Sequence, residues 1–232
     1  MRSVKLQVVV TCVAICFCVV VFSVRGLPPT RPVCWAVIYM DMGCLYRVLN
    51  WGGDVDAQHP GGTGERGLTM AASRGELRLV TLLLARGANV NAEDRLGFTA
   101  LHRAAYADHV HVAEVLMRHG ADVGAIAHDN GYTPLHCAAS FGCSAMVAFL
   151  LDHGASIDAR DAMGRTPVHV AMLHWEKDAM WQVVSLLIRR GADTSIQDDE
   201  GRTPLATAVE RGHAAIADLL RNRGESEQCP GE

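Results

Sequence analysis

One short pattern returns along this 232-residue chain at a nearly fixed interval. Gly97-Phe98-Thr99-Ala100-Leu101-His102 comes back as Gly131-Tyr132-Thr133-Pro134-Leu135-His136, then as Gly164-Arg165-Thr166-Pro167-Val168-His169 and Gly201-Arg202-Thr203-Pro204-Leu205. The leading glycines are 34, 33 and 37 residues apart. A second series, Gly87-Ala88, Gly120-Ala121, Gly154-Ala155 and Gly191-Ala192, steps by 33, 34 and 37. Such a period argues against one closed core. Each unit is a supersecondary piece that buries its apolar face only on copies of itself.

The stretch Gly131–Ala155 shows what one unit contains. Thr133 is a good N-cap, because its hydroxyl accepts an orphan backbone N–H. Pro134 fits the first helical position, where no N–H is needed. Leu135, Ala138 and Ala139 give a short helix with a small apolar face, and Gly142 ends it in the left-handed conformation. Met146, Val147, Leu150 and Leu151 then follow helical spacing to Gly154.

The Thr-Pro-Leu-His start and a period of about 33 residues resemble the ankyrin repeat. The resemblance covers roughly Gly64 to Gly224, with a weaker extension to Cys34. It implies an all-α solenoid of stacked helix-turn-helix units with β-hairpin fingers between them. The expected divisions are a degenerate capping repeat at 34–60, repeats at 61–93, 94–127 and 128–160, a repeat with an insertion at 161–197, a C-terminal capping repeat at 198–224, and a polar tail at 225–232. The resemblance also implies that His102, His136 and His169 are structural, bonding backbone near the next finger.

Three units depart from the pattern. Arg66-Gly67-Leu68-Thr69 lacks both the capping threonine and the proline, which predicts a helix start weakened by about 1 kcal/mol. Asp108 stands where Gly75, Gly142 and Gly212 turn between helices, and Asp tolerates the left-handed region at some cost. The unit at 161–197 carries extra residues around His174–Trp181, between its helices. There the helices are expected to be extended with Trp181 folding back onto Met172, Met180 and neighbouring repeats, and Trp175 to stand in the turn as a partner contact.

Residues 1–26 read differently. Arg2 and Lys5 precede the apolar run Val8–Phe22, and Val24-Arg25-Gly26 resembles a signal-peptidase site. Leu6–Val24 also just reaches the length of a membrane-spanning helix. A cleaved secretory signal, a signal anchor through residues 6–24 and a start codon assigned too far upstream all stand open. The first two place the chain in the secretory pathway or at a membrane, the third in the cytoplasm. Leu27–Pro32, within the spacer 27–33, holds three prolines and reads as extended.

Chemistry is sparse. The net charge of −4 offers no basic footprint, so no nucleic-acid partner is expected. The eight cysteines show neither disulfide-framework nor zinc spacing, so the array reads as a reduced fold. His109 and His111 do not share a helix face. No phosphate loop, nucleophile elbow or kinase signature occurs. No enzyme activity, metal, cofactor or small-molecule ligand is expected. What remains is protein binding. Aromatic residues recur at the variable positions: Phe98 and Tyr132 in fingers, Tyr106 and Phe141 late in first helices, and Trp175 in the insertion. Aromatics are typical interface anchors. The expected function is a non-catalytic adaptor binding through its concave face and finger tips, with a membrane-anchored or secreted scaffold as the alternative.

Overall fold

A computed structural model describes residues 48–50, 52–59, 64–173 and 177–226. The segments 1–26 and 27–33, and Trp175 of the insertion, lie outside these residues. Ten helices follow as five pairs: α1 (Gly67–Ser73) and α2 (Leu77–Ala85), α3 (Ala100–Tyr106) and α4 (Val110–Arg118), α5 (Pro134–Ser140) and α6 (Ser144–Asp152), α7 (Pro167–Ala171) and α8 (Lys177–Arg189), α9 (Pro204–Glu210) and α10 (Ala214–Ser226). Residues 48–50 are helical ahead of them. First helices stack on first helices, from α1 through α3, α5 and α7 to α9, and second helices stack in parallel order.

Two kinds of side chain make this stacking close. Ala71, Ala72, Ala104, Ala105, Ala138, Ala139 and Ala171 are fully buried. Their lack of bulk lets neighbouring first helices approach. Leu68, Leu101, Leu135 and Val168 fill the space beneath, with Leu83, Leu116, Leu150 and Leu187 from the second helices. The core is one continuous cluster from Val48 to Leu220.

Helix ends follow the expected chemistry. Thr133 accepts the His136 N–H, and Thr203 accepts the Ala206 N–H at 3.3 Å. Asp108 does adopt a positive φ of 57°. Its carboxylate accepts the Met146 N–H at 3.3 Å, so it caps α6 of the next unit as well as turning the chain. Gly142 also has a positive φ, and a Cβ there would meet the Ala179 Cβ at 2.6 Å. The site needs glycine for closeness as well as for conformation.

The start of α1 lacks a side-chain cap at Arg66, as expected, but is not bare. Thr69 stands at the histidine position, and its hydroxyl both accepts the Arg66 N–H and donates to the Arg66 carbonyl, each at 2.9 Å. Arg66 adds contacts sideways, its guanidinium donating to the Asp56 carbonyl and, at 3.1 Å, to the Glu93 carbonyl. The extra residues at 161–197 extend a helix, as expected. α7 stops after 5 residues, while α8 runs to 13 where α6 has 9. Trp181 therefore sits on a helix and is 41% exposed, while Met172 and Met180 are buried. One helical turn later, Ser185 is buried, so the indole lies at the rim of α8's core face.

The fingers are hairpins closed by single backbone bonds rather than by ladders. Asp94 N bonds Phe98 O, Ala127 N bonds Tyr132 O, Asp161 N bonds Arg165 O and Asp198 N bonds Arg202 O, all at 2.8–3.0 Å. Among the described residues one isolated antiparallel bridge, Gln58 with Arg66, is the only β pairing.

Leu150 is fully buried at the centre of the stack. Replacing it by Ala should cost about 2–5 kcal/mol. In a nearest-neighbour solenoid this loss should divide thermal unfolding into separate transitions. Calorimetry showing one transition at the wild-type midpoint would place Leu150 outside the core.

Candidate interaction surface

The surface begins with a buried polar device. In α3, the His102 ring nitrogen Nδ1 lies 3.1 Å from the Thr99 N–H and 2.9 Å from the Thr99 hydroxyl. Its Nε2 lies 3.0 Å from the Tyr132 carbonyl, at the base of the next finger. His136 repeats this with Thr133 and the Arg165 carbonyl, and His169 with Thr166 and the Arg202 carbonyl. Nδ1 must therefore accept and Nε2 donate, which requires the neutral ring with its proton on Nε2. All three rings are buried. Burial holds His102 down to about 4 and lowers His136 and His169 as well, because each charged form would lose its water.

Four of the five aromatic residues singled out by sequence lie among the described residues. Phe98 and Tyr132 pack half-buried against the histidines. Phe98 meets His102 edge-on at 5.4 Å, and the Arg103 guanidinium lies 4.9 Å over its ring. Tyr132 stacks on His136 at 5.5 Å, and Arg165 donates to its hydroxyl at 3.4 Å. Tyr106 and Phe141 differ: they touch each other, with ring centroids 3.8 Å apart, and remain 50% and 42% exposed. The structure thus brings Tyr106 of one unit and Phe141 of the next into one exposed aromatic pair, at the end of the first helices away from the fingers.

Two apolar residues on the fingers escaped the sequence reading. Ile126 and Met163 are exposed by 59% and 58%. The signal for Ile126 was present: counted from the Gly-Ala series, it stands where other units carry Glu93, Arg160 and Gln197.

Other candidates are chemically occupied. An open cleft lined by Asp56, Arg66, Asn89, Asn91, Glu93 and Asp94 is polar. Its groups already bond one another or neighbouring fingers: Asp56 takes the Asn89 N–H, Asn91 the Asp122 N–H, and Asp94 the Arg103 guanidinium. Cys137 and Cys143 are buried free thiols, pushed up to about 12 and about 11 by loss of solvent. Such thiols are weak nucleophiles. Among the described residues no group of His, Cys, Asp or Glu is arranged to hold a metal, and no helix is long and apolar enough to cross a membrane.

With this geometry, comparison with known proteins is direct. The family description "Ankyrin repeats (3 copies)" matches residues 33–127, and "Ankyrin repeat" matches 130–162 and 163–199. The chain belongs to the ankyrin repeat family, whose arrays are in general protein–protein interaction modules. It is 36% identical to Cyclin-dependent kinase 4 inhibitor B of Homo sapiens over 118 residues, which are 51% of this chain and 85% of that protein. It is 44% identical to Rabankyrin-5 of Mus musculus over 85 residues, 32% of this chain and 7% of that protein. It is also 36% identical to Neurogenic locus notch homolog protein 1 of Homo sapiens over 110 residues, 47% of this chain and 4% of that protein. The chain thus spans a small fraction of Rabankyrin-5 and of the notch protein.

The neutral-ring requirement gives a pH dependence with a definite sign. The folded pKa of His102 lies below the ordinary 6.5, so the unfolded chain binds the proton first. Stability is complete above about pH 6.5 and falls as pH drops toward 4, by on the order of 3 kcal/mol from His102 alone. His102→Thr, which copies Thr69, should be less stable at pH 7 and lose less on acidification. Urea titrations giving parallel pH profiles for the two proteins would contradict this.

Proposed function

We propose that this chain is a non-catalytic adaptor whose partner protein docks on the first-helix face at Tyr106 and Phe141. The observation that carries the reading is the exposed contact between those two rings. Aromatic pairs of this size normally gain by burial, and an exposed pair adjoining buried neighbours has the character of an interface anchor. Phe98 and Tyr132, fixed against the ring histidines at the finger end of the same helices, belong to the proposal as further contacts. Trp175 belongs to the same proposal as a further anchor at the insertion. The face as a whole, with the finger tips, would form the concave side of the array.

The family members compared above carry names of a kinase inhibitor and of larger proteins. By analogy the partner here is a folded protein surface rather than a small molecule. A tethered version of the same adaptor is supported by the apolar run Val8–Phe22. Carbonate-resistant membrane association with residues 1–26 retained would favour the anchor. Secretion with a new N-terminus near Leu27 would favour a cleaved signal.

Tyr106→Ala combined with Phe141→Ala should leave folding nearly intact, because both rings are substantially exposed. Loss of two anchors should weaken partner capture by at least tenfold, the effect of about 1.4 kcal/mol or more. Affinity capture with wild type and the double variant, compared by quantitative mass spectrometry, checks this. An identical set of captured proteins in equal amounts would rule the pair out.

A further inference from the structure

The junction between residues 94–127 and 128–160 is built differently from its neighbours. Elsewhere three polar devices hold the fingers. The first is a side-chain rung. Asp56 accepts the Asn89 N–H at 3.1 Å, Asn91 accepts the Asp122 N–H at 2.8 Å, and Asp158 accepts the Asp193 N–H at 2.9 Å. In the same register the finger 121–132 has Gly124. With no side chain, it offers no rung to Ser156.

The second device is a buried aspartate inside the finger. Asp94 accepts the Leu96 and Phe98 N–H groups, Asp161 those of Met163 and Arg165, and Asp198 those of Glu200 and Arg202. Each also pairs with an arginine, Arg103, Arg165 or Arg202. The residue in that place here is Ala127, which is buried and has no acceptor to give, and Asn130 takes over one of the two bonds by accepting the Tyr132 N–H at 3.0 Å. This finger also carries one residue more. Gly131 N bonds back four residues to Ala127 O, where Gly97, Gly164 and Gly201 bond back three.

The third device is a polar side-chain contact between tips. Glu93 faces His128 at 3.2 Å, and Arg160 faces Asp199 at 3.6 Å. Ile126 holds the corresponding place in finger 121–132 and can make none. What joins these two fingers is one backbone bond from Ala162 N to Asn130 O and the Arg165 bond to the Tyr132 hydroxyl. The units behind them are held by the His102 bond to the Tyr132 carbonyl, the Asp108 carboxylate on the Met146 N–H, the Cys143 thiol against the Tyr106 carbonyl, and helix packing. The Tyr106–Phe141 contact bridges the same junction at its other end.

We propose that this junction is the flexing point of the array, at which 61–127 and 128–224 change angle. The loss of both the rung and the tip contact between these fingers leaves them free to shift while the first helices and the Asp108 cap stay in contact. The consequence for binding rests on the docking role assigned to Tyr106 and Phe141. Flexing changes the separation of those rings, so the angle of the junction sets whether the anchor surface is assembled.

Gly124→Asn tests this by restoring the rung that Asn91 makes. A Cβ at Gly124 meets only Asp122 Oδ1, at an ordinary 3.5 Å, so the side chain fits. Gly124→Ala is the control for lost backbone freedom. Hydrogen exchange is read by NMR on the full chain without any partner, so its outcome is independent of the docking role. In the wild type, Ser156 and residues 122–132 should exchange faster than residues 89–98 and 193–202. Gly124→Asn should slow Ser156 and its neighbours about fivefold relative to Gly124→Ala, the worth of one ordinary hydrogen bond. Equal protection of all fingers in the wild type, or equal exchange in the two variants, would overturn the proposal.

Discussion

A histidine ring buried between two stacked units must find partners for both nitrogens. For His102, His136 and His169 one partner is the start of the ring's own helix, and the other is the carbonyl of Tyr132, Arg165 or Arg202, which also takes a backbone N–H from its own finger. A buried ring nitrogen left unpaired would cost about 1–3 kcal/mol. The two nitrogens lie on opposite edges of one rigid ring. One accepts the N–H at the start of its own helix, and the other donates across the junction. Local capping and stacking of units are thereby the same interaction, and a helix that starts wrongly also misses its neighbour. Where the ring is absent the two tasks separate. Thr69 keeps the local bond through its hydroxyl, and Arg66 spans to the neighbouring finger. At Ala206 only the Thr203 cap remains.

The repeat, its helix starts and its turn glycines were readable because each rests on local chemistry: a hydroxyl three residues from an N–H, a proline at a first turn, a glycine at positive φ. Asp108 was readable as a turn for the same reason. Its bond to Met146 was not, because that contact spans 38 residues. The retained start at Thr69 was missed because the motif was judged by its threonine and proline rather than by the residue at the histidine position. Periodicity gave the number of extra residues in the insertion, and the expected helix extension falls on α8, where the Trp181 ring lies at the margin of the buried face.

The same distinction divides the aromatic residues. Sequence spacing placed Phe98 and Tyr132 in fingers and Tyr106 and Phe141 at helix ends, but did not show which would meet. Stacking of α3 on α5 puts Tyr106 beside Phe141. The finger residues instead press on histidines that are already committed to the stack. The exposed pair and the cohesive histidine contacts thus occupy opposite ends of the same first helices. Among the described residues the fingers at the junction that the pair spans share neither the rung nor the tip contact, because Gly124 and Ile126 stand where other fingers carry hydrogen-bonding side chains.

The dependence of the whole array on the neutral, bridging ring is open to direct measurement. Long-range nitrogen–proton NMR of the imidazoles at pH 7 reports which ring nitrogen carries the proton. His102, His136 and His169 should all show the Nε2-protonated tautomer, with that proton protected from solvent exchange. A proton on Nδ1, or rings exchanging freely between tautomers as exposed histidines do, would mean that the units are held together by something other than this bond.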